Sequence, residues 1–340
     1  MNERAVEYLD RYRRILESSL PTLDTRVSDE RWANTVLALV HHSLWLDEDQ
    51  TWMFVFSSLV GGLAYDRSFA RALVQVIENE QVLLSAVGKK RLKMLQDGLG
   101  PTTGWWVGPQ STVEQEAALL AELRRAARRG WLDDGCTEER TAILVYLGGR
   151  LAYRGEDYQA AMTAYLEVER FLTPEMERLC ELLAEAFEEI GWSLGYDKDG
   201  YAQPSTEAAL AYTKAITLGR EIAANYRRLG GIQKQLGDLQ ASLTNRLEAT
   251  ELGPKEPINW NMLGDTYQAL GRYDEALQAY QQALALCTND RDRAHTTCYL
   301  GDVHLALGRY DEALQAYQQA SGLDPRSPWG PNGVGRVQEA

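Results

Sequence analysis

An all-α fold, a stacked helical solenoid preceded by a separate helical block, is the class predicted by this 340-residue sequence. Three observations carry the prediction. The stretch LGRYDEALQAYQQA stands at 270–283 and again, unchanged, at 307–320, and the match extends back to Leu263 and Leu300 with only three differences. A fainter copy, LGGIQKQLGDLQASLTNRLEATELGP, starts at Leu229, 34 residues before Leu263. Self-similarity at such a period marks an array of helix–turn–helix units, none able to bury its apolar face without a neighbour. Outside the array the chain shows helical periodicity and no strand-like alternation of useful length.

The repeated unit reads as two helices. Trp260, Leu263 and Tyr267 recur at three- and four-residue steps and make one apolar face, while Gly264 lets a second helix come close. Gly271 stops helix A in the left-handed conformation, and Asp274 places a favourable acid near the start of helix B. In helix B, Ala276 and Ala283 permit close antiparallel packing and Tyr280 fills the gap between the helices.

These spaced residues resemble the tetratricopeptide repeat (TPR). Trp260, Leu263, Gly264, Tyr267, Ala276, Tyr280 and Ala283 match the family's positions in one repeat, and Leu300, Gly301, Ala313, Tyr317, Ala320 and Pro325 in the next. The copy before them keeps Tyr226, Leu229, Gly230, Ala249 and Pro254 but has Ser242 and Arg246 where small and aromatic residues are expected, so its packing is expected to be looser. Two degenerate copies precede it. One keeps Leu147, Gly148, Ala161 and Tyr165 if an extra residue is allowed near Glu156; the other keeps Ala208, Tyr212 and Ala215 and carries an insertion, DKDGYAQPS, of about eight residues. At the end of the chain, Asn332, Val334 and Gly335 repeat the register of Asn261, Leu263 and Gly264 and predict an added helix A.

The resemblance implies a right-handed solenoid over 136–340, with repeats at about 141–174, 176–219 (insertion 196–204), 223–255, 257–290 and 294–326 and a terminal helix at 328–340. Residues 1–135 form a helical block of unrecognised type. There, Asn2–Ser18, Ser28–Leu46, Ser68–Leu95 and Thr112–Trp131 have helical periodicity, and GLGPTTGWWVGP (98–109) reads as a loop with Trp105 and Trp106 as packing anchors.

Composition narrows the function classes. A net charge of −14 argues against general affinity for nucleic acid and makes a basic partner the expectation. Arg124, Arg125, Arg128 and Arg129 share one helix face and read as a solvated or acid-paired stripe. The longest apolar run, Met53–Ala64, is short of the roughly 20 residues that cross a bilayer, and MNERAVEYLDRYRR lacks the apolar stretch of a secretory signal. A cytoplasmic protein without membrane association is expected. Cys136, Cys180, Cys287 and Cys298 are scattered and read as buried thiols, and His41, His42, His295 and His304 lack metal-ligand spacing. Asp197, Asp199 and Gly200 match three positions of an EF-hand loop, but Gly195 and Thr206 stand where its first acid and its glutamate belong. No metal or cofactor is expected. The usual catalytic motifs are missing, among them the nucleophile elbow, the zinc-protease helix and the P-loop, so no enzyme activity is expected.

What the resemblance implies instead is binding: such arrays hold a peptide or helix of a partner protein in a concave groove lined by the A helices. The corresponding positions here are Arg227 and Lys234, Asn261, Asp265 and Gln268, and His295 and Asp302. They do not reproduce the set that clamps a chaperone's terminal carboxylate. Asp265 and Asp302, equivalent on adjacent repeats, would suit a segment bearing Lys or Arg. The expected function is that of a non-catalytic adaptor or scaffold, its N-terminal block giving a second contact or an assembly function. The alternative is a regulatory subunit or peptide-responsive sensor whose N-terminal block acts on an effector.

Overall fold

The computed structural model describes residues 2–99, 112–132, 136–198 and 200–339, so most of the predicted loop at 98–109, with Trp105 and Trp106, lies outside the described residues. Among the described residues there is no strand, only one isolated antiparallel bridge between Tyr196 and Ala202. No helix among them is long and apolar enough to cross a membrane. The chain divides into two compact units, 1–186 and 187–340. This packing division falls inside a helix, whereas the loss of the repeat pattern places the sequence division at 135/136.

The N-terminal unit contains α1 (Asn2–Glu17), α2 (Leu23–Ser28), α3 (Glu30–Ser43), α4 (Glu48–Tyr65), α5 (Arg67–Asn79), α6 (Ala86–Leu99), α7 (Val113–Arg128), α8 (Thr137–Arg154), α9 (Tyr158–Val168) and the first part of α10 (Glu177–Gly195). Helix α7 starts at Thr112, whose hydroxyl and Gln115 form a reciprocal capping box. Helix α3 is capped by Asp29 rather than begun at Ser28, which belongs to α2. The periodic stretch 68–95 is two helices, separated by a short 3-10 turn at Gln81–Leu83. Helix α4 has no polar stripe to reveal it, because Trp52, Val55, Phe56, Leu59 and Val60 are buried all round its axis.

A polar staple ties this unit together. The Glu139 carboxylate accepts from the Leu23 amide at 2.7 Å and from the Tyr65 hydroxyl at 2.9 Å, and the Arg140 guanidinium donates to the Ser57 carbonyl at 2.9 Å. Burial pushes the Glu139 carboxyl up, against the lowering pull of these bonds and of Arg26. The arginine stripe is occupied in part: Arg125 donates to Glu122 at 2.6 Å, and Arg129 lies over the Trp131 ring at 5.1 Å.

Helices α8 and α9 form the first degenerate repeat, but one residue out of the expected register. Gly149, not Gly148, lies against the Tyr165 ring, while Gly148 faces Arg124. No extra residue is needed in the turn. Glu156 takes the left-handed conformation, φ 60°, that Gly237, Gly271 and Gly308 take in later turns, and so hides the turn glycine by which the register is read.

The C-terminal unit continues from Phe187 in α10 through α11 (Thr206–Thr217), α12 (Ala223–Gln235), α13 (Leu239–Leu252), α14 (Pro257–Ala269), α15 (Tyr273–Leu286), α16 (Asp290–Ala306), α17 (Tyr310–Leu323) and α18 (Trp329–Glu339). Each helix packs on the next. The A helices α12, α14, α16 and α18 also pack on one another in sequence, closer than successive B helices do, which puts the A helices on the inside of the curve.

Within each pair the glycine–tyrosine contact sets the spacing. A Cβ at Gly264 would stand 2.7 Å from the Tyr280 ring, one at Gly301 2.8 Å from Tyr317, and one at Gly191 3.0 Å from Tyr212. All three tyrosines are fully buried. At the end of the chain Gly333 lies against Tyr317, so α18 covers the last tyrosine from the other side. Successive pairs are stapled by buried asparagines. The Asn259 amide donates to the Ala249 and Gly253 carbonyls, both at 3.0 Å, and closes the end of the preceding B helix.

Candidate functional site

The A-helix positions expected to line the inner face fall into separate groups. Lys234 and Asp265 meet: the ammonium is 2.6 Å from both carboxylate oxygens. Arg227 donates to Asn259 Oδ1 at 2.9 Å and approaches Glu256 at 3.4 Å. Asn261 is buried and donates to the Thr296 hydroxyl at 2.9 Å, joining α14 to α16 rather than facing a ligand. Gln268 accepts from the Tyr280 hydroxyl at 3.4 Å.

Asp302 accepts from the Tyr317 hydroxyl at 2.6 Å and pairs with Arg336 of α18, whose guanidinium lies 5.4 Å above the Tyr317 ring. Burial and the Asp302 contact together push the Tyr317 phenol up. Asp265 and Asp302 are therefore each neutralised from a neighbouring A helix. They do not form an uncompensated acidic wall.

His295 sits between aromatic rings, 4.6 Å from Tyr299 and 5.6 Å edge-on to Trp329. Burial holds its imidazole down, opposed mainly by Asp292. The same histidine lines a cleft of about 690 Å³ with Tyr201, Arg291, Asp292, Leu323 and Trp329. Tyr201 and Trp329 are 64% and 51% exposed, large apolar surfaces left uncovered at the rim.

Tyr201 reaches this cleft from the insertion between α10 and α11. The insertion is folded by its own polar groups: Asp197 accepts from the Tyr201 amide at 2.9 Å and the Gln203 side-chain amide at 3.0 Å, and Gly200 turns the chain with φ 82°. The Asp197 carboxylate is thus engaged in a turn, and Asp199 lies outside the described residues. Among the described residues, no three His, Cys, Asp or Glu side chains gather as a metal site would require. Cys136, Cys287 and Cys298 are buried free thiols, and Cys180 is half-buried.

Several residues packed around the A helices of this unit carry no groove signature in the sequence. Trp192 and Tyr196 stack at 4.7 Å on α10, and Arg228 lies 5.0 Å over Trp192 while donating to Glu188 at 2.9 Å. Arg246, on B helix α13, stands where Tyr280 and Tyr317 stand in later repeats and is 3% exposed. A Cβ at Gly230 would meet its Cδ and Nε, both at 3.1 Å, and one at Gly231 would meet its Nη2 at 3.2 Å. The departure from tyrosine was legible; that Gly231 leaves room for the guanidinium was not.

The family pattern described as "Tetratricopeptide repeat" matches residues 256–326. No curated protein matches the chain. Among solved structures, a MamA crystal structure aligns over 52% of this chain and 95% of its own at 20% identity and TM-score 0.40. YrrB, titled a TPR protein with an unusual peptide-binding site, aligns over 56% and 90% at 16% identity and TM-score 0.42. TTC0263, a thermophilic TPR protein of Thermus thermophilus, aligns over 58% and 100% at 19% identity and TM-score 0.36. The chain carries tetratricopeptide repeats at residues 256–326, in the helices α14 to α17 that hold Asn261, Asp265, Gln268, His295 and Asp302.

Proposed function

We propose that the C-terminal unit binds a segment of another protein along its A-helix face and that the chain works as a non-catalytic adaptor or scaffold in the cytoplasm. The observation that carries this reading is the cleft at His295. It combines two exposed aromatic side chains, Tyr201 and Trp329, with charged groups of both signs, Arg291 and Asp292. Exposed aromatics beside a recess are the usual anchors of protein recognition, because they offer large apolar area at low conformational cost. The groove charges elsewhere are paired, so a basic segment would have to displace Lys234 from Asp265 or Arg336 from Asp302. A mixed segment anchored by apolar side chains fits this face better than a polybasic one.

The test is partner recovery with the full chain, followed by affinity measurement with the purified partner. Trp329→Ala combined with Tyr201→Ala is expected to weaken binding by about tenfold or more, the loss of one good aromatic anchor. Unchanged affinity in the double variant contradicts the reading. The N-terminal unit, on this proposal, supplies a second contact or an assembly function; a chain lacking it is expected to keep the groove's affinity.

A further inference from the structure

The chain carries a net charge of −14, yet one recess of its N-terminal unit is cationic. Helices α6 and α7 pack antiparallel, with Gly98 against Leu119 and, farther along, Arg91 3.7 Å from Glu122. Between them lies a groove of about 800 Å³ that reaches from Asp97 to Val87 along α6, about 15 Å or three helical turns. Its apolar surface comes from Val87, which is 60% exposed, from the half-buried Met94, and from the exposed methyls of Ala118 and Ala121.

Five cations and two acids line the same groove. Asp97 is taken by Lys93 at 2.6 Å, and Glu122 is held by Arg125 at 2.6 Å. Arg91 lies over the Trp52 and Trp131 rings, at 5.6 and 5.2 Å, with Glu122 as its nearer acid. Both acids are thus already engaged. Lys90 is exposed and has no carboxylate at ion-pair distance among the described residues, and Arg129 meets only the face of Trp131. The stretch 100–111, which joins the two helices and lies outside the described residues, contains no Asp or Glu that could neutralise them.

A cationic excess beside an apolar recess calls for a ligand that is apolar and negative together. Nucleic acid brings phosphate without apolar side chains, and a bilayer takes an amphipathic face rather than filling a recess. We propose that the α6–α7 groove docks an acidic amphipathic helix of a partner protein, about three turns long. Its apolar side chains rest on Val87, Met94, Ala118 and Ala121, and its Asp or Glu residues lie beside Lys90 and Arg129. This gives the N-terminal unit a contact of its own and does not rest on the cleft at His295.

The test pans a displayed library of 14-residue internal peptides against the full chain and measures a selected synthetic peptide against variants. Enriched peptides are expected to repeat apolar residues at three- and four-residue steps with Asp or Glu between them. Lys90→Glu with Arg129→Glu is expected to weaken binding about tenfold or more, and Lys90→Arg to leave it unchanged. Val87→Asp with Ala121→Asp is expected to weaken it as much. All four residues are exposed, and an acid at Val87 suits the first turn of α6, so circular dichroism should show an intact fold. Tyr201→Ala with Trp329→Ala is expected to bind the peptide as wild type does. The inference is overturned if no peptide is enriched, if the enriched peptides are basic, or if affinity survives both groove variants. It is equally overturned if binding is lost with Tyr201 and Trp329, which would place the peptide in the His295 cleft and uphold that reading. Two other occupants would also overturn it: an anionic phosphatidylserine vesicle whose binding the groove variants abolish while no peptide is enriched, or the chain's own 100–111, if Trp105→Ser with Trp106→Ser alone uncovers peptide binding.

Discussion

Helices α13 and α15 hold the same place in consecutive repeats, yet they solve the same packing problem in opposite ways. In α15, Ala276 and Tyr280 present an apolar surface to Gly264, and the ring fills the space between A and B helices. In α13, Ser242 and Arg246 stand at those two positions. Ser242 satisfies itself by donating to the Gly230 carbonyl at 2.7 Å, with the Thr266 hydroxyl 3.3 Å away. Arg246 crosses the same gap and leaves its Nε unpartnered. The expectation of looser packing in this repeat misses what the substitution does. Both side chains are buried much as their counterparts are; what changes is that the repeat holds a buried charge where its neighbours hold a ring.

The sharpest way to break this comparison is to remove the packing member. Tyr280→Ala is expected to cost about 3–5 kcal/mol in denaturant unfolding followed by circular dichroism, because a fully buried ring is lost and its cavity cannot close. A loss under about 1 kcal/mol would show that the ring does not set the spacing.

The next test adds one methyl on the opposite helix. Gly264→Ala brings a Cβ to 2.7 Å from the Tyr280 ring, which cannot bend away, and is expected to cost about 1–3 kcal/mol. Gly230→Ala brings one to 3.1 Å from a flexible arginine stem and is expected to cost less than half as much in the same assay. Equal losses would mean that the two interfaces are equally rigid.

The smallest effect lies in the turn between α8 and α9. Glu156→Gly, which restores the residue type found at Gly237, Gly271 and Gly308, is expected to raise the melting stability by about 0.5–1 kcal/mol. No gain would mean that the glutamate makes a compensating contact there.

Much of the array was legible because its constraints are local. The duplicated stretches, the turn glycines and the alanine–tyrosine spacing each reflect contacts within one helix pair, so they repeat with the chain. What was not legible depends on residues brought together across repeats. Lys234 and Asp265 lie on successive A helices, and Arg336 meets Asp302 only through α18, so the two acids read as free until their cations were placed. The register at Gly149 was hidden by one non-glycine turn residue, and α4 by an apolar surface with no polar face to give it a period. The insertion could be seen as an interruption, but not that Tyr201 would join His295 and Trp329 in one cleft.

The central claim is that Arg246 fills the place of the packing tyrosine at a cost in stability, its Nε buried without a partner. It is tested most directly by comparing the unfolding free energies of wild type and Arg246→Tyr. The tyrosine variant is expected to be the more stable by about 1–2 kcal/mol, since an unpartnered buried charge is replaced by the ring the neighbouring repeats use. A variant less stable than wild type would contradict the claim, and would make Arg246 a structural residue of α13.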